Sequence, residues 1–285
     1  MNIPRRRLLA LTVGALAAPR VLAETMAPRW RAIALDGLVV FDTRRVQTVA
    51  EERLPGRGAA LVTAWRSRQF EYQWLRTTGE QYADFLSVTS DSLEFAARSL
   101  GVELSPETRA ALMDVYVTLD AWPDAAPALR MLRESGLQLA FLSNMTATML
   151  KDGIARAGLG GLFDHVLSTD TVRAFKPAPR AYAIGPRALR LPTESILFVA
   201  SAGWDAAGAR WFGYPTYWVN RSAAPPEHLG PHADGVGPDL GSLVEYVRDH
   251  ATPASARAIH AGLAVAASLL EPESSAEDGH ASLMF

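Results

Sequence analysis

The chain has 285 residues, which fits one or two domains, and its composition of 49% apolar and 20% charged residues excludes global disorder. Its 28 basic residues nearly balance 30 acidic ones, so it lacks the basic excess with which nucleic-acid-binding proteins neutralise phosphates. The absence of cysteine excludes disulfides, thiolate catalysis and Cys-ligated metal sites.

The first 25 residues have the pattern of an export signal. Three arginines, Arg5 to Arg7, precede an apolar run over 8–18, and a small-residue cleavage site follows at 21–23. The run is too short to cross a bilayer as a helix, whereas this order is typical of a secretory signal, and paired arginines favour the twin-arginine route. We therefore expect a periplasmic protein, or a cytoplasmic one if the signal is not functional. No other stretch of the sequence has the roughly 20 apolar residues of a membrane helix.

The first element of the fold is predicted to be a short buried strand, Ala-Ile-Ala-Leu, that ends at Asp36. From about residue 45 to 116 the apolar residues recur with helical spacing instead. Gly101 interrupts this pattern, and Ser105-Pro106 is typical of a helix start, with serine as the N-cap and proline at the first helical position. This segment is therefore predicted to be a helical insertion after the first strand.

After Trp122 the pattern changes to strands that alternate with helices. The predicted strands are 138–142, 165–168, 196–199 and 216–219, and the predicted helices are 125–135, 148–157, 179–189 and 206–211. This alternation predicts an α/β fold, a Rossmann-like, doubly wound parallel sheet with helices on both faces. Such sheets bind ligands beyond the carboxyl ends of their strands, so Asp36, Ser143 and the residues after Val199 should converge.

The order of these segments predicts four regions of the chain. They are a signal peptide at 1–25, an α/β core domain made of 30–44 and 119–248, a helical cap domain at 45–118, and a C-terminal helix and tail at 249–285, with helical spacing over 254–270. Because the cap is inserted after the first strand, we expect it to lie over the carboxyl edge of the sheet.

Four polar residues stand at recurring places in this fold. Asp36 ends the first strand, Ser143 ends the second, Lys176 lies in a Phe-Lys-Pro sequence, and Asp205 follows a later strand. Their order and spacing resemble the four motifs of the haloacid dehalogenase superfamily. The resemblance covers roughly residues 30–248.

Two longer runs are similar to the L-2-haloacid dehalogenases (type II) rather than to the phosphatases of that superfamily. They are Ala-Trp-Arg-Ser-Arg-Gln-Phe-Glu-Tyr-Gln-Trp-Leu-Arg at 64–76 and Phe-Val-Ala-Ser-Ala-Gly-Trp-Asp at 198–205. The resemblance implies hydrolytic dehalogenation of short (S)-2-haloacids to (R)-2-hydroxyacids through an aspartyl ester, with no cofactor. The implied partners are the 2-haloacid and the halide ion, and a homodimer, which is common among these enzymes, is left open.

Asp36 is the candidate nucleophile, because a carboxylate can attack carbon in line and displace a leaving group to give an ester. Its alternative role is to cap the next turn. Two positions later, where the resemblance places a second Asp beside Mg²⁺ in the phosphatases, this chain has Leu38. A phosphate-ester leaving oxygen would lack its proton donor, whereas a halide leaves without a proton. Leu38 therefore favours dehalogenation and a metal-free site, and the six histidines show no metal-ligand spacing.

Three further residues are expected to act beside the nucleophile. Lys176, unless it is a surface lysine, should form an ion pair that lowers the pKa of Asp36. By resemblance, Tyr182 orients this lysine, unless it is only a core tyrosine. Asp205 is implied to position or activate the water that hydrolyses the ester.

The remaining candidates are expected to bind substrate and halide. The Ser143 hydroxyl and neighbouring backbone N–H groups can hold a carboxylate. The resemblance implies that Arg66, whose guanidinium suits anions, receives both the halide and the substrate carboxylate. Asn144 and Trp204 are implied to complete the halide cradle, with Leu38 beside the substrate.

Three departures from the resemblance predict weak, altered or absent activity. The first motif, 36–42, is one residue short and lacks the Tyr and Thr of Asp-x-Tyr-Gly-Thr-Leu-Phe-Asp. Ala200-Ser201-Ala202 replaces Ser-Ser-Asn, and Met145 replaces a small residue. They support a second hypothesis, a catalytically impaired protein that binds small anions or acts as an interaction module. A third hypothesis, phosphoryl transfer, is disfavoured by Leu38.

Overall fold

The computed structural model describes residues 26–253 of the chain. The predicted export signal at 1–25 and the predicted helix over 254–270 lie outside the described residues, as does most of the predicted tail. Residues Ala27–Thr252 form one compact unit, and of the second unit of the chain only two residues are described.

Strands and helices follow one another along the described residues. The strands are β1 Met26–Ala27, β2 Ala32–Leu35, β3 Phe41–Asp42, β4 Asp120–Ala121, β5 Gln138–Ser143, β6 His165–Ser168, β7 Ile196–Ala200, β8 Thr216–Val219, β9 Gly235–Gly237 and β10 Thr252–Pro253. The helices are α1 Gly37–Val40, α2 Arg44–Arg53, α3 Gly58–Thr78, α4 Phe85–Ser99, α5 Pro106–Val117, α6 Ala125–Glu134, α7 Ala147–Arg156, α8 Pro179–Tyr182, α9 Ile184–Leu189, α10 Gly203–Phe212 and α11 Leu240–Asp249. Short 3-10 helices lie at Thr169–Val172 and Thr193–Ser195.

Six of the strands form one sheet in the order β6-β5-β2-β7-β8-β9, and each neighbouring pair is parallel. β2 lies inside it, with Ala34 paired to Ala140 of β5 on one side and to Phe198 of β7 on the other. Successive side chains of a strand point to opposite faces, so Ile33 packs into one core cluster and Ala34 into the other. The predicted doubly wound parallel sheet is confirmed.

The carboxyl end of β2 is the point at which the strand order reverses. The chain continues from β2 to β5 on one side and reaches β7 on the other side later. A crevice forms at such a point because the connections from the two neighbouring strands run in opposite directions. Asp36 follows β2 directly, and its backbone N–H donates to the Val199 carbonyl oxygen over 2.9 Å. The candidate nucleophile therefore lies at the crevice.

Four helices, α2 to α5, are inserted between β3 and β4, and we call them the cap. The antiparallel pair of β3 and β4 closes the base of this insertion. Helix α3 packs along α4 and α2, and the buried Trp65 indole N–H donates to the Thr89 carbonyl oxygen of α4 over 2.7 Å. Helix α5 starts as predicted, because the Ser105 hydroxyl oxygen accepts from the Thr108 backbone N–H at 3.1 Å.

Several elements have no counterpart among the predictions, and β9 and α11 are the ones that extend the core domain at its C-terminal end. β9 reads Gly-Val-Gly, which lacks the apolar run that indicates a strand. A Cβ at Gly235 would lie 2.7 Å from the Tyr217 ring and 2.6 Å from the Tyr246 ring, so this strand needs glycine to pair with β8. None of the described helices combines the length and the apolar character that crossing a membrane requires.

Candidate active site

The carboxyl ends of three neighbouring strands bring the candidate residues together. Asp36 follows β2, Ser143 ends β5 with Asn144 after it, and Ser201 follows β7. These side chains line a cavity of about 620 Å³, which is also lined by Arg66 of the cap. Residues that lie far apart in the sequence therefore share one cavity at the edge of the sheet.

Lys176 lies between two carboxylates. Its Nζ is 2.9 Å from Oδ1 of Asp36 and 2.6 Å from Oδ2 of Asp205. All three side chains are buried. A buried charge is tolerated only when it is paired and hydrogen-bonded, and each of these charges has an opposite charge in contact.

Opposing effects determine the pKa of Asp36. Burial raises this pKa, but the charge of Lys176 and hydrogen bonds from Lys176, Ser201 and the Leu38 backbone N–H lower it. The net result is a pKa of Asp36 below the usual value of 3.8. Asp36 is therefore ionised at neutral pH, which is the state a carboxylate nucleophile needs.

The second carboxylate has the opposite pKa shift. Burial raises the pKa of Asp205 to about 6; the charge of Lys176 lowers it and the charge of Asp36 raises it. Burial lowers the pKa of Lys176, but the two carboxylates raise it above the usual 10.5. Two carboxylates whose pKa values are pushed apart can divide the roles of nucleophile and base.

Asp36 is also the N-cap of α1. Its Oδ2 accepts a hydrogen bond from the Leu38 backbone N–H at 3.0 Å and one from the Ser201 hydroxyl at 2.8 Å. The Ser143 hydroxyl lies 3.5 Å from Oδ1, at the limit of hydrogen bonding. The turn-capping role and the placement expected of a nucleophile therefore coincide, because the hydrogen bond from the Leu38 backbone N–H holds the carboxylate at the cavity wall.

Tyr182 contacts Asp205 and has no hydrogen bond to Lys176. Its hydroxyl donates to Oδ1 of Asp205 over 2.7 Å. Gly208 leaves room for this hydroxyl, because a Cβ at residue 208 would lie only 2.5 Å from the hydroxyl oxygen. Tyr182 is fully buried and does not line the cavity. Tyr182 therefore holds the carboxylate that contacts Lys176, and the expectation that it orients this lysine stays a prediction.

The Asn144 amide joins three parts of the site. Its Nδ2 donates to Oε1 of Gln73 in α3 over 2.8 Å. Its Oδ1 accepts from the Lys176 backbone N–H at 2.9 Å and from the Thr169 hydroxyl at 3.3 Å. The orientation of the amide is thereby determined, and one of its two N–H bonds remains for a ligand.

Gln73 has no place among the residues predicted from the sequence. It is 1% exposed and lines the cavity. Trp65, Gln69 and Gln73 follow one another at a spacing of four on the buried face of α3. A glutamine on the buried stripe of a helix was the available signal, because a buried amide needs a hydrogen-bonding partner.

Arg66 lines the cavity from α3. Other arginines of this helix are engaged, since Arg68 pairs with Glu71 and Arg76 pairs with Asp91. Within the described part of the chain, Arg66 forms neither an ion pair nor a hydrogen bond. Its guanidinium group is therefore available to an anion in the cavity.

Trp204 and Leu38 complete the predicted set, and both line the cavity. The Trp204 ring contacts Phe70 of the cap edge-on, with ring centroids 5.3 Å apart, and the Trp74 centroid is 6.1 Å away. Trp204 therefore packs α10 against the cap and borders the cavity at once. Leu38 presents an apolar side chain at the position where the resemblance implies a second carboxylate in the phosphatases.

The departures at the motifs are accommodated locally. The Met145 sulfur would lie 2.7 Å from a Cβ at residue 37, so Gly37 makes room for Met145. Ala200 and Ala202 supply no polar group, and Ser201 between them donates to Asp36. Ser201 was not among the predicted site residues, although its position directly after β7 was the signal that could have identified it.

Comparison with known proteins identifies a family that this chain resembles. Residues 29–213 match the model of a haloacid dehalogenase-like hydrolase. The chain is 40% identical over 206 residues to an (S)-2-haloacid dehalogenase of Pseudomonas sp. (strain YL), and this alignment covers 72% of the chain and 89% of that protein.

Solved structures share the fold. The crystal structure of an L-2-haloacid dehalogenase matches with a TM-score of 0.75 and 44% identity, over 77% of this chain and 99% of that one. The L-2-haloacid dehalogenase of Xanthobacter autotrophicus with chloropropionic acid covalently bound matches with a TM-score of 0.69 and 35% identity, over 77% and 98% of the two chains.

Proposed function

This chain belongs to the haloacid dehalogenase-like hydrolases, and from that premise we propose that it hydrolyses short (S)-2-haloacids to (R)-2-hydroxyacids and halide. The observation that carries the proposal is the ionised Asp36, paired with Lys176 at 2.9 Å beside a cavity that Arg66 lines. Relatives named (S)-2-haloacid dehalogenase, one of them 40% identical to this chain, support the same reaction.

In the first step Asp36 attacks C2 of the haloacid in line with the carbon–halogen bond. An oxygen–carbon bond forms as the carbon–halogen bond breaks, the electron pair leaves with the halide, and C2 is inverted. Lys176 and the Leu38 backbone N–H hold the carboxylate at 2.9 and 3.0 Å. This fixed orientation removes part of the entropic cost of the reaction.

In the second step water attacks the carbonyl carbon of the ester. We assign the water proton to Asp205, because its pKa of about 6 allows proton uptake near neutral pH. Lys176 contacts both side chains and offsets the negative charge that develops on the carbonyl oxygen. The intermediate expels the hydroxyacid oxygen, which takes a proton back, and Asp36 returns as a carboxylate with one oxygen from water. Each turnover consumes one water and releases a halide ion and a proton.

The two negative groups of the reacting substrate need different partners. We assign the substrate carboxylate to Ser143, and the leaving halide to Trp204 and the remaining N–H of Asn144. Arg66 is available to both groups as charge moves from the nucleophile to the halide. All four residues line the same cavity as Asp36.

We further propose that the reaction needs no metal ion. Leu38 replaces the carboxylate that a phosphatase would use, and a departing halide needs neither a proton nor a Lewis acid. Within residues 26–253, no three His, Asp or Glu side chains are grouped as metal ligands. Halide release that is unchanged by a chelator and by added Mg²⁺ would support this part of the proposal.

The test of the reaction is halide release from (S)-2-chloropropionate. Asp36→Asn keeps the side-chain volume but removes the nucleophile, so we expect a loss of at least about a thousandfold, or roughly 4 kcal/mol of barrier. Asp152→Asn, in which an exposed aspartate on α7 is changed, is the matched control and should retain full activity. Equal activity in Asp36→Asn and the parent chain would exclude Asp36 as the nucleophile.

A labelling experiment tests the ester intermediate directly. With enzyme in excess over substrate in ¹⁸O-labelled water, the first turnover should place the label in Asp36 and leave the hydroxyacid unlabelled. Mass analysis of the peptide that contains Asp36 measures this incorporation. Label found in the hydroxyacid after one turnover would indicate direct attack by water and would contradict the ester mechanism.

A second candidate function is small-anion binding without turnover, and the apolar Ala200 and Ala202 favour it. Each hydrogen-bonding side chain that is missing from a closed site lowers the reaction rate by up to about a hundredfold. Absence of halide release from several short haloacids, combined with bromide bound at Arg66 in a crystal, would select this function. Mg²⁺-dependent hydrolysis of a generic phosphate ester would select phosphoryl transfer instead.

We also propose, from the sequence, that residues 1–25 direct export. Fusion of these residues to a reporter enzyme should place the reporter in the periplasm. Replacement of Arg5 and Arg6 by lysine should retain the reporter in the cytoplasm if the twin-arginine route is used. The homodimer that is common among such enzymes is tested separately by sedimentation equilibrium of the purified chain.

A further inference from the structure

The cavity is much larger than a short haloacid needs. Its volume is about 620 Å³, whereas a cavity of about 150 Å³ is enough to hold benzene in another protein. 2-Chloropropionate has as many non-hydrogen atoms as benzene, so it would leave most of this cavity unfilled. A volume near 600 Å³ lies instead in the range of pockets that enclose larger organic ligands.

Aromatic side chains border the additional space. Phe85 and Tyr116 belong to the cap, Phe41 and Trp122 lie at its base, and Trp218 belongs to β8. The Phe85 and Tyr116 rings are edge-on, with centroids 6.3 Å apart. Walls of this kind stabilise a flat apolar group through burial and ring contacts.

The arginines in these walls already have acidic partners. Arg44 pairs with Asp42 at 2.7 Å, and Arg221 pairs with Asp124 at 3.0 Å. Both guanidinium groups also lie over the Trp122 ring, at 4.5 and 4.3 Å from its centroid. Neither arginine is therefore left to bind a second carboxylate of a substrate.

The remaining charges favour a substrate with one carboxylate. Glu227 lines the cavity and has no ion pair with another residue in the described part of the chain. Its negative charge repels a second carboxylate on the substrate. Arg66 is available to the carboxylate of the haloacid itself. The arrangement fits one acid group near Asp36 and an uncharged remainder.

We propose that the site accepts 2-haloacids whose C2 substituent is an uncharged apolar group the size of an aromatic ring. An example is 2-bromo-3-phenylpropionate. This inference rests on the proposed dehalogenation and names its substrate class. Burial of each methylene contributes about fourfold to binding, so kcat/KM for this acid should exceed that for 2-bromopropionate by at least about tenfold.

The experiment compares halide release by the full chain from three acids. They are 2-bromopropionate, 2-bromo-3-phenylpropionate and 2-bromosuccinate, each as the S enantiomer. The phenyl acid should have the highest kcat/KM and the dicarboxylate the lowest. A separate binding measurement on Asp36→Asn, with 3-phenyllactate and lactate as the probes, reports on the cavity independently of turnover. The phenyl-bearing probe should bind at least about tenfold more tightly.

A variant that narrows the cavity adds a structural control. Thr43 lines the cavity beside Arg44, and its side chain caps no helix. Thr43→Phe should lower the ratio of kcat/KM for the phenyl acid over that for 2-bromopropionate at least about tenfold. Thr43→Val has nearly the parent volume and should leave this ratio unchanged.

The outcomes separate this inference from the proposed function. Turnover of 2-bromopropionate with slower turnover of the phenyl acid, or with the dicarboxylate as the best substrate, would overturn the inference and leave dehalogenation intact. Preference of Asp36→Asn for phenyllactate over lactate would support the inference even if no acid were hydrolysed. Lack of halide release from all three acids together with equal binding of the two probes would overturn both.

Discussion

The Asn144 amide donates a hydrogen bond from Nδ2 to Oε1 of Gln73 over 2.8 Å. The bond joins the carboxyl end of β5 to α3 of the cap. Oδ1 of the same amide accepts a hydrogen bond from the Lys176 backbone N–H, so the cap and the loop that contains Lys176 contact one side chain. The position of the cap is thereby coupled to the proposed anion site and to the ion pair of Asp36.

Replacement of Gln73 tests this coupling. Gln73→Leu keeps the volume but leaves Asn144 Nδ2 without its acceptor, at a cost of about 1–3 kcal/mol. We expect kcat/KM to fall about tenfold and the inhibition constant for bromide to rise by a similar factor. Thr89→Val is the control, because it removes the partner of Gln69 within the cap and should lower the melting temperature without changing bromide inhibition. Equal weakening of bromide inhibition in both variants would contradict a specific role for Gln73.

Ser201 is predicted to keep Asp36 ionised and oriented. Ser201→Ala removes the 2.8 Å hydrogen bond from the Ser201 hydroxyl to Oδ2 of Asp36. This hydrogen bond is one of the causes that lower the pKa of Asp36 in the parent chain. A hydrogen bond to a charged group contributes about 1.5–3 kcal/mol, so ester formation should slow at least about tenfold. Ser201→Thr keeps the hydroxyl and should restore most of the rate. Pre-steady-state halide release measures this step, and equal rates in Ser201→Ala and the parent chain would show that the hydroxyl is dispensable.

Removal of Lys176 should destabilise the fold in a pH-dependent way. Lys176→Met leaves Asp36 and Asp205 buried without their cation, and the free energy of unfolding at neutral pH should fall by about 3–5 kcal/mol. In the parent chain the lowered pKa of Asp36 stabilises the fold above pH 3.8, and this contribution is lost as the pH falls. In the variant, burial raises the carboxyl pKa values, so its stability increases on acidification and the difference between the proteins narrows.

Urea denaturation over a series of pH values measures this difference. The other lysine of the sequence, Lys151, is exposed on α7. Lys151→Met should therefore differ little from the parent chain at every pH. A loss of stability in Lys176→Met that stays constant from neutral to acidic pH would show that the effect does not arise from unpaired carboxylates.

Hydrolysis of the ester should depend on the ionisation of Asp205. Its pKa is raised to about 6, so the base is lost as the pH falls through that value. In the ester Asp36 carries no charge, which removes one cause of the raised pKa, so the midpoint should lie at or below about 6. Single-turnover rates of hydroxyacid release measure the profile. A rate that stays level down to pH 3.8, or an unchanged profile in Asp205→Asn, would exclude Asp205 as the base.

The sheet and the position of Asp36 at its edge were predictable because their signals are local. A parallel strand buried on both faces, such as Ala32–Leu35, is a continuous apolar run, and the polar residue that follows it must lie at the sheet edge. β9 was not predictable, because its Gly-Val-Gly sequence is explained only by the tyrosine rings that pack beside Gly235. The partner of Gln73 was not predictable either, because Asn144 lies 71 residues away in the sequence.

Periodicity and motif spacing along the chain predicted most of the strands and helices, the inserted cap, and the candidates Asp36, Lys176 and Asp205, because these signals lie in neighbouring residues. The folded structure was needed to show which side chains meet: Tyr182 holds Asp205, Ser201 donates to Asp36, and the cavity extends far beyond a small acid. Hydrogen bonds and cavity volume depend on distances between segments that folding brings together, and these distances are not encoded in the spacing along the chain.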